Sequence, residues 1–301
     1  MSTTQVVIAG GSGLIGAALA RSLRADGIGV TTLVRRPPRT SDEVEWLTGK
    51  GPLDPAHLAG ADAVVGLNGA SIGRLPWTPA YRTTLRESRL TPTRELAGAL
   101  RQLGADAPAF LSASATGFYG TRPGQPLTEQ DDAGRTFLAG LCVDWERTAL
   151  QAGPETRVVL LRTAPLLHPR GVLKPMMALT KLGISGPLGT GTQIWPWISL
   201  EDEVRAIRHL IDSDVAGPVN LCGPTPATAT DIGAELARTL RRPFLLPAPA
   251  WALRLGLGRD TAESLLLTDA NTAPRVLEAA GFTFAHPRAA DAITAAMSHR
   301  S

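Results

Sequence analysis

A parallel α/β fold is predicted, on three observations. Short β-branched runs alternate with helix-period segments through the first half of the chain. The first of those runs ends in a glycine-rich turn that opens a helix. Beyond Leu166 the pattern breaks into Gly- and Pro-punctuated pieces.

Taken in order, Gln5–Ala9 reads as a short buried strand and Leu14–Ala25 as an apolar-periodic helix. Gly29–Val34 is a second strand, followed by Arg35, Arg36, Pro37 and Pro38, where the prolines stop the ladder because they carry no N–H. Residues 44–47 are expected as a short third strand and 54–58 as a helical turn. The apolar run 61–67 reads as a fourth strand. A long, partly helical stretch covers 79–103. Residues 107–112 form the fifth strand, 136–152 a helix and 156–162 the sixth strand. Strands alternating with helices require crossovers that pack on both faces of a parallel sheet, so a doubly wound sheet follows. An all-helical reading fails on the β-branched runs at 6–8, 30–34 and 64–65.

In the second half, 200–212 reads as an amphipathic helix, 218–221 as a short strand and 230–240 as another helix. Short helical segments broken by Pro243, Pro247 and Pro249 complete the chain, with Asn271 or Thr272 as a late helix cap. The expectation is a Rossmann-type domain at 1–165 and a smaller, mainly C-terminal substrate lobe at 166–301. That lobe sits over the carboxyl ends of the strands and returns elements to the core.

Composition narrows the function classes. The chain has 301 residues, 44% hydrophobic and 19% charged, which suits a globular protein with a sizeable core. Its net charge is +3, carried almost wholly by arginine, the lysines being Lys50, Lys174 and Lys181. With no basic tail or block, nucleic acid is not an expected partner. No apolar stretch approaches the roughly 20 residues of a membrane helix, so no membrane partner is expected either. The first strand begins almost at once, and Cys142 and Cys222 lie far apart, which favours a reducing cytoplasm without disulfides. His57, His168, His209, His286 and His299 show no metal-ligand spacing, and no metal is expected. A monomer and a homodimer both remain open.

The strongest local signal is Gly10-Gly11-Ser12-Gly13-Leu14-Ile15-Gly16, between a strand and a helix. Gly10 permits a tight turn, Gly13 removes the side chain that would block a pyrophosphate, and Gly16 lets helix and sheet approach. The helix start supplies amides and a favourable field. These residues, with the Ser12 hydroxyl, point to a bound dinucleotide. Where NAD selection usually places an acid after the second strand, the chain has Arg35 and Arg36. Guanidinium pairs with a 2′-phosphate, so NADP (NADPH) is expected over NAD. Beyond the fourth strand, Gly69 and Ala70 are small enough for close approach, and Asn68 offers a bond to backbone or ribose. Asp62, at the start of that strand, is either a turn cap or an adenine-side contact.

After the fifth strand, Ser112, Ser114 and Thr116 offer hydroxyls to polarise a carbonyl or alcohol, Ser114 foremost. Tyr119 is either an acid/base phenol, needing help from an ordinary pKa near 10, or a packed ring. Cys142 and Glu146 share a helix face. Cys142 reads as a buried structural thiol, and Asp144 and Glu146 as partners for arginines. Glu129, Asp131 and Asp132 lie on the preceding loop. Arg162 and His168 follow the sixth strand as candidates for an anionic substrate, and Trp195 or Trp197 for a pocket wall or for packing.

Together these segments resemble the extended short-chain dehydrogenase/reductase superfamily, in its atypical NAD-dependent epimerase/dehydratase-like branch. The resemblance runs through the glycine turn, Trp77-Thr78, Glu87-Ser88-Arg89, Ser112 to Gly120, Phe137-Leu138, Asp144-Trp145-Glu146, Trp197-Ile198-Ser199 and Gly281-Phe282. It implies hydride transfer, sometimes with epimerisation, on a small-molecule substrate. It also implies a catalytic Tyr four residues before a Lys. Placing Glu146 on the family's glutamate puts Leu138 and Cys142 at those two positions, and neither side chain can do the usual work. An NADP-binding oxidoreductase or epimerase-like enzyme and an NADP(H) sensor or scaffold with little turnover are the two resulting readings.

Overall fold

The computed structural model describes residues 4–49 and 51–298, so Lys50 and His299 lie outside the described residues. In chain order, β1 (Gln5–Ala9) leads through α1 (Leu14–Ala25) to β2 (Gly29–Val34), β3 (Glu43–Glu45) and β4 (Ala63–Gly66). Next come α2 (Pro79–Leu103), β5 (Ala109–Ala115), β6 (Arg122–Leu127), α3 (Phe137–Ala149) and β7 (Val158–Thr163). The second half runs α4 (Leu173–Lys181), α5 (Leu200–Ile211), β8 (Gly217–Leu221), α6 (Ala229–Thr239), α7 (Ala250–Leu257), α8 (Arg259–Leu265), β9 (Ala270–Thr272), α9 (Arg275–Ala279) and α10 (Ala289–Ser298).

Seven strands form one sheet in the order β3-β2-β1-β4-β5-β7-β8, every neighbouring pair parallel. The chain winds outward to β3, then returns past β1 to β4. That reversal opens a crevice at the carboxyl ends of β1 and β4. The period of two along each strand sorts the core. Val6, Ile8, Val65, Leu111 and Leu161 point to the face covered by α1 and α5. Val7, Ala9, Val64, Phe110 and Leu160 point to the face covered by α2 and α3. Strands buried on both faces read as near-continuous apolar runs, which is why these were legible as strands.

Helix starts follow their caps. Thr78, Thr136 and Ser199 each accept a backbone N–H from three residues on, at the starts of α2, α3 and α5. Asp54 caps the short turn at Pro55–His57 by accepting Ala56 N, two residues on. The smaller lobe packs α4, α6 and α10 around Trp195, Trp197, Ile232, Leu236 and Ile293. Although β8 and α5 follow residue 166, β8 lies beside β7 in the main sheet, and α5 packs against its core.

Three local features differ from expectation. Residues 122–127 form β6 despite Pro123, Gly124 and Pro126, pairing in parallel with β9 as a separate two-stranded sheet. Prolines are tolerated there because the strand is exposed at an edge and interrupted by a register shift. Asn271 and Thr272 lie in β9 and cap no helix; α9 begins after Pro274. Helix α4 carries no distinctive start signal, as its N-cap Val172 has no side-chain cap. Among the described residues, no helix is long and apolar enough to cross a membrane.

Candidate functional site

The turn after β1 has no room for a side chain at Gly10 or Gly16. Gly10 has φ +90°, and a Cβ there would sit 2.8 Å from the Leu67 carbonyl carbon and oxygen. A Cβ on Gly16 would lie 2.4 Å from the Gly10 carbonyl oxygen. Both approaches are backbone against backbone, so neither relaxes by a side-chain turn. Gly13 N donates to Gly10 O at 3.0 Å and closes the loop. Gly13 is also the N-cap of α1 and offers no side-chain acceptor. The first amides of α1 are thus left without a cap at the mouth of the crevice, with Ser12 and Gly13 exposed beside them. That is the arrangement an anion at a helix start needs.

Next to this cradle, the loop after β4 adds a second mark of a ligand. The Asn68 Oδ1 atom is buried and has no hydrogen-bond partner. An orphaned buried acceptor normally costs about 1–3 kcal/mol, and a bound hydroxyl or amide would relieve it. Ala70 is less free than its size suggests. Its N–H donates to Ser88 Oγ at 2.9 Å, and its carbonyl accepts from Arg89 Nη2 at 3.1 Å. Arg89 also stacks over Trp145, 5.2 Å from the ring centroid, and packs against Gly69. Ser88 and Arg89 therefore shape the 68–70 loop from α2, a role the sequence reading did not assign although it singled out the segment.

The two arginines after β2 behave differently from one another. Arg36 clamps Glu43 with both terminal nitrogens, Nη2 to Oε1 at 2.6 Å and Nη1 to Oε2 at 2.7 Å. These bonds hold the Glu43 carboxyl down at about 2. Arg35 is exposed. Asp62 proves to be a strand-start cap, its Oδ2 accepting Gln5 N at 2.6 Å.

At the end of β5, strand alternation places the candidate hydroxyls on the inner side. Ser112, Ser114 and Thr116 are buried, whereas Ala113, Ala115 and Gly117 between them are half-buried. The Ser114 hydroxyl donates to Glu146 Oε1 at 2.6 Å. Glu146 in turn receives Arg162 Nε and Nη2, both at 2.9 Å. Arg162 Nη1 donates to Tyr119 Oη at 2.9 Å, and the guanidinium lies 3.5 Å from the centre of the Phe118 ring. Tyr119 passes the chain on, donating to Asn220 Oδ1 at 2.7 Å.

This network corrects two expectations. Tyr119 has no exposed surface, and burial, against the pull of Arg162, pushes its phenol up to about 12. It is a packed ring fixed at both ends, remote from acid/base work at neutral pH. Arg162 is not a substrate contact but the buried partner of Glu146. Burial alone would lower its pKa, and the bonds from Glu146 and Tyr119 more than reverse that. Thr116 is buried as well, with 3% exposure, and stands outside the bonds that join Ser114, Glu146 and Arg162.

Two of the acids on the loop before α3, Glu129 and Asp131, are structural as well. Glu129 Oε1 accepts Asn220 N at 3.0 Å and Val276 N at 3.2 Å, tying β8 to α9. Asp131 accepts the Thr128 N–H and hydroxyl. Asp144 pairs with Arg86 at 2.7 Å. Leu138 is buried against Trp77 and Leu85. The Cys142 thiol donates to Ala115 O at 3.7 Å and is pushed up to about 12, by burial first and Glu146 second. Trp195 and Trp197 are buried, their indole N–H groups given to Leu266 O and Thr225 O, so both pack rather than line a pocket. The His168 ring accepts Arg170 N at 3.1 Å.

Comparison with known proteins agrees with this architecture. A family model described as the NAD dependent epimerase/dehydratase family matches residues 6–222, and a domain of unknown function (DUF1731) matches 248–296. An epimerase family protein of Mycobacterium bovis is 42% identical over 298 residues, 97% of each chain. The human epimerase family protein SDR39U1, solved with NADPH, superposes with a TM-score of 0.88 at 27% identity, covering 98% of this chain and 100% of that one. MoeE5 shares the fold at a TM-score of 0.73 and 19% identity, with 98% of this chain and 98% of MoeE5 covered.

The expected preference for NADP over NAD is corrected here. MoeE5 was solved with NAD, once beside UDP-glucose and once beside UDP-glucuronic acid, so a sheet and lobe of this shape do not select the 2′-phosphate. The physical ground for that preference weakens too, since the Arg36 guanidinium is already clamped by Glu43.

Proposed function

Since the chain belongs to the NAD dependent epimerase/dehydratase family, we propose that it is a nicotinamide-dinucleotide-dependent oxidoreductase or epimerase-like enzyme acting on a small carbonyl, alcohol or sugar-type substrate. The observation that carries this reading is the uncapped start of α1, set behind a turn where Gly10 and Gly16 exclude any side chain. Gly10, Ser12, Gly13, Leu14, Ile15 and Gly16 cradle the pyrophosphate, with amides donating from the helix start. Arg35 and Arg36 flank the adenosine end. Asn68, Gly69 and Ala70 border the ribose, where Asn68 Oδ1 gains the partner it lacks. When bound, the nicotinamide supplies the hydride acceptor or donor.

Proton handling falls to Ser114 in place of the Tyr and Lys that Leu138 and Cys142 displace. Its hydrogen already rests toward Glu146 Oε1, and Arg162 balances that carboxylate. Ser114 Oγ takes a proton from a substrate hydroxyl as it passes its own to Glu146. Losing a positioned proton transfer of this kind typically forfeits roughly 10²- to 10⁴-fold in rate.

Nicotinamide fluorescence during titration with NADH, and separately NADPH, tests the binding half. Saturable binding by the wild type, weakened at least about tenfold in Gly13→Val, is the expected result. A wild type that binds neither nucleotide would sink the reading. A second reading, a dinucleotide-responsive sensor with little turnover, is favoured by one observation: the two helix positions facing the end of β5 carry a buried Leu138 and a neutral Cys142 thiol. Tight binding without turnover across carbonyl, alcohol and sugar-nucleotide panels decides for the sensor. Turnover lost in Ser114→Ala decides for the enzyme.

A further inference from the structure

A cavity of about 660 Å³ opens between the start of α3 and α8. Sites for small molecules typically measure about 300–1,000 Å³, so it is large enough to hold one. Arg122, Arg135 and Arg259 line it, together with Thr121, Thr136 and Ser264. Residues of the glycine turn, the 68–70 loop and the buried Ser114 network are absent from its wall, which makes it distinct from the dinucleotide crevice.

The charges in this cavity are unequally matched. Its two carboxylates are already engaged, Asp260 by Arg82 at 2.8 Å and Glu263 by Arg254 at 2.8 Å. Arg122 gives one long hydrogen bond, 3.4 Å to the Ala133 carbonyl. Asp131, which Arg122 helps to hold ionised, is itself bonded by Thr128. Among the described residues, the side chains of Arg135 and Arg259 have neither an ion-pair nor a hydrogen-bond partner. Several unpaired cations on one concave wall raise the local concentration of anions, because low-dielectric walls focus their field. The guanidinium fork matches the paired oxygens of phosphate and carboxylate, and such bonds are roughly twice as strong as neutral ones.

We propose that this cavity is a binding site for a small multiply charged oxyanion, a phosphate ester or a polycarboxylate, held by Arg122, Arg135 and Arg259. Its location suits recognition of a charged group, since it adjoins the loop that carries β5 into α3 while the lobe supplies the opposite wall through α8.

Isothermal titration of inorganic pyrophosphate, and separately of citrate, into protein saturated with NADH tests this. Saturation keeps pyrophosphate out of the glycine turn. One site is expected, its affinity falling as NaCl rises and dropping at least about tenfold in the Arg135→Gln/Arg259→Gln double variant. Both arginines are exposed, so NADH binding and the urea midpoint should be unchanged in that variant and report an intact fold. Binding of pyrophosphate alone supports a phosphate ester as the ligand, and binding of citrate alone a polycarboxylate. The proposal is overturned if the wild type binds neither anion, or if the double variant binds as tightly as the wild type. Should the glycine turn take no NADH, the same variant still reports on this cavity without blocking, so the two sites are judged separately.

Discussion

Replacing Glu203 by Gln should stabilise the protein at pH 8 and leave it nearly unchanged at pH 4.5. Glu203 stands in the first turn of α5, where an acid normally faces solvent and the helix dipole favours it. Here the side chain is fully buried. Oε1 accepts the Thr163 hydroxyl at 2.8 Å, while Oε2 has no partner. Burial outweighs the Thr163 bond and pushes the carboxyl from 4.5 up to about 8. At about 1.4 kcal/mol per unit, that displacement is worth roughly 5 kcal/mol. Below pH 4.5 both the folded and the unfolded chain hold the proton, and Glu203 imposes no pH-linked penalty. As pH rises further the unfolded chain releases it while the fold retains it, so stability falls steadily and levels off above about 8. By pH 7 the loss is about 3 kcal/mol. Gln preserves the acceptor for Thr163 and cannot ionise. The neighbouring Cys222 thiol, raised to about 12 by burial, stays neutral throughout and adds nothing to the slope. Urea unfolding of both proteins at pH 5, 6, 7 and 8 reads the gap directly. A gap that stays constant within about 1 kcal/mol over that range would refute the assignment of a buried, titrating Glu203.

Two further outcomes follow from the buried network and the thiols. Arg162→Met strands the Glu146 carboxylate in the core, and loss of one member of a buried pair typically costs about 3–5 kcal/mol. Urea unfolding at pH 7 should show that loss, and Arg162→Met/Glu146→Leu should recover much of it; a single variant within about 1 kcal/mol of wild type would contradict the role. Cys142 and Cys222, both raised to about 12 by burial, should resist a disulfide-exchange reagent at pH 8 in the native protein and react only on unfolding. Rapid native labelling of either thiol argues against that burial.

The dinucleotide crevice was readable in the sequence because its parts are local. Gly10, Gly13 and Gly16 fall within seven residues, between a strand and a helix that each announce themselves by periodicity. The same holds for β1, β4 and β7, whose apolar runs follow from burial on both faces. Strands β6 and β9 were hidden because each is short and its partner is more than a hundred residues away. The clamp of Glu43 on Arg36 was equally hidden, since only the return of β3 beside β2 brings the carboxylate to the guanidinium.

Ser114, Thr116 and Tyr119 mark the boundary most clearly. Composition and spacing place hydroxyls at the end of β5, and they are there. Which way Ser114 faces depends on the register of β5 between β4 and β7, and a shift of one residue would have turned it to the other side, while Thr116 and Tyr119 lie in the turn that follows. The glycine turn is the converse. The lack of a side chain is a covalent property, so the cradle at α1 is written in the chain before it folds. The charges around it acquire meaning only after folding, because Arg36, Arg162 and Glu203 are each defined by a neighbour or a degree of burial that distant segments supply.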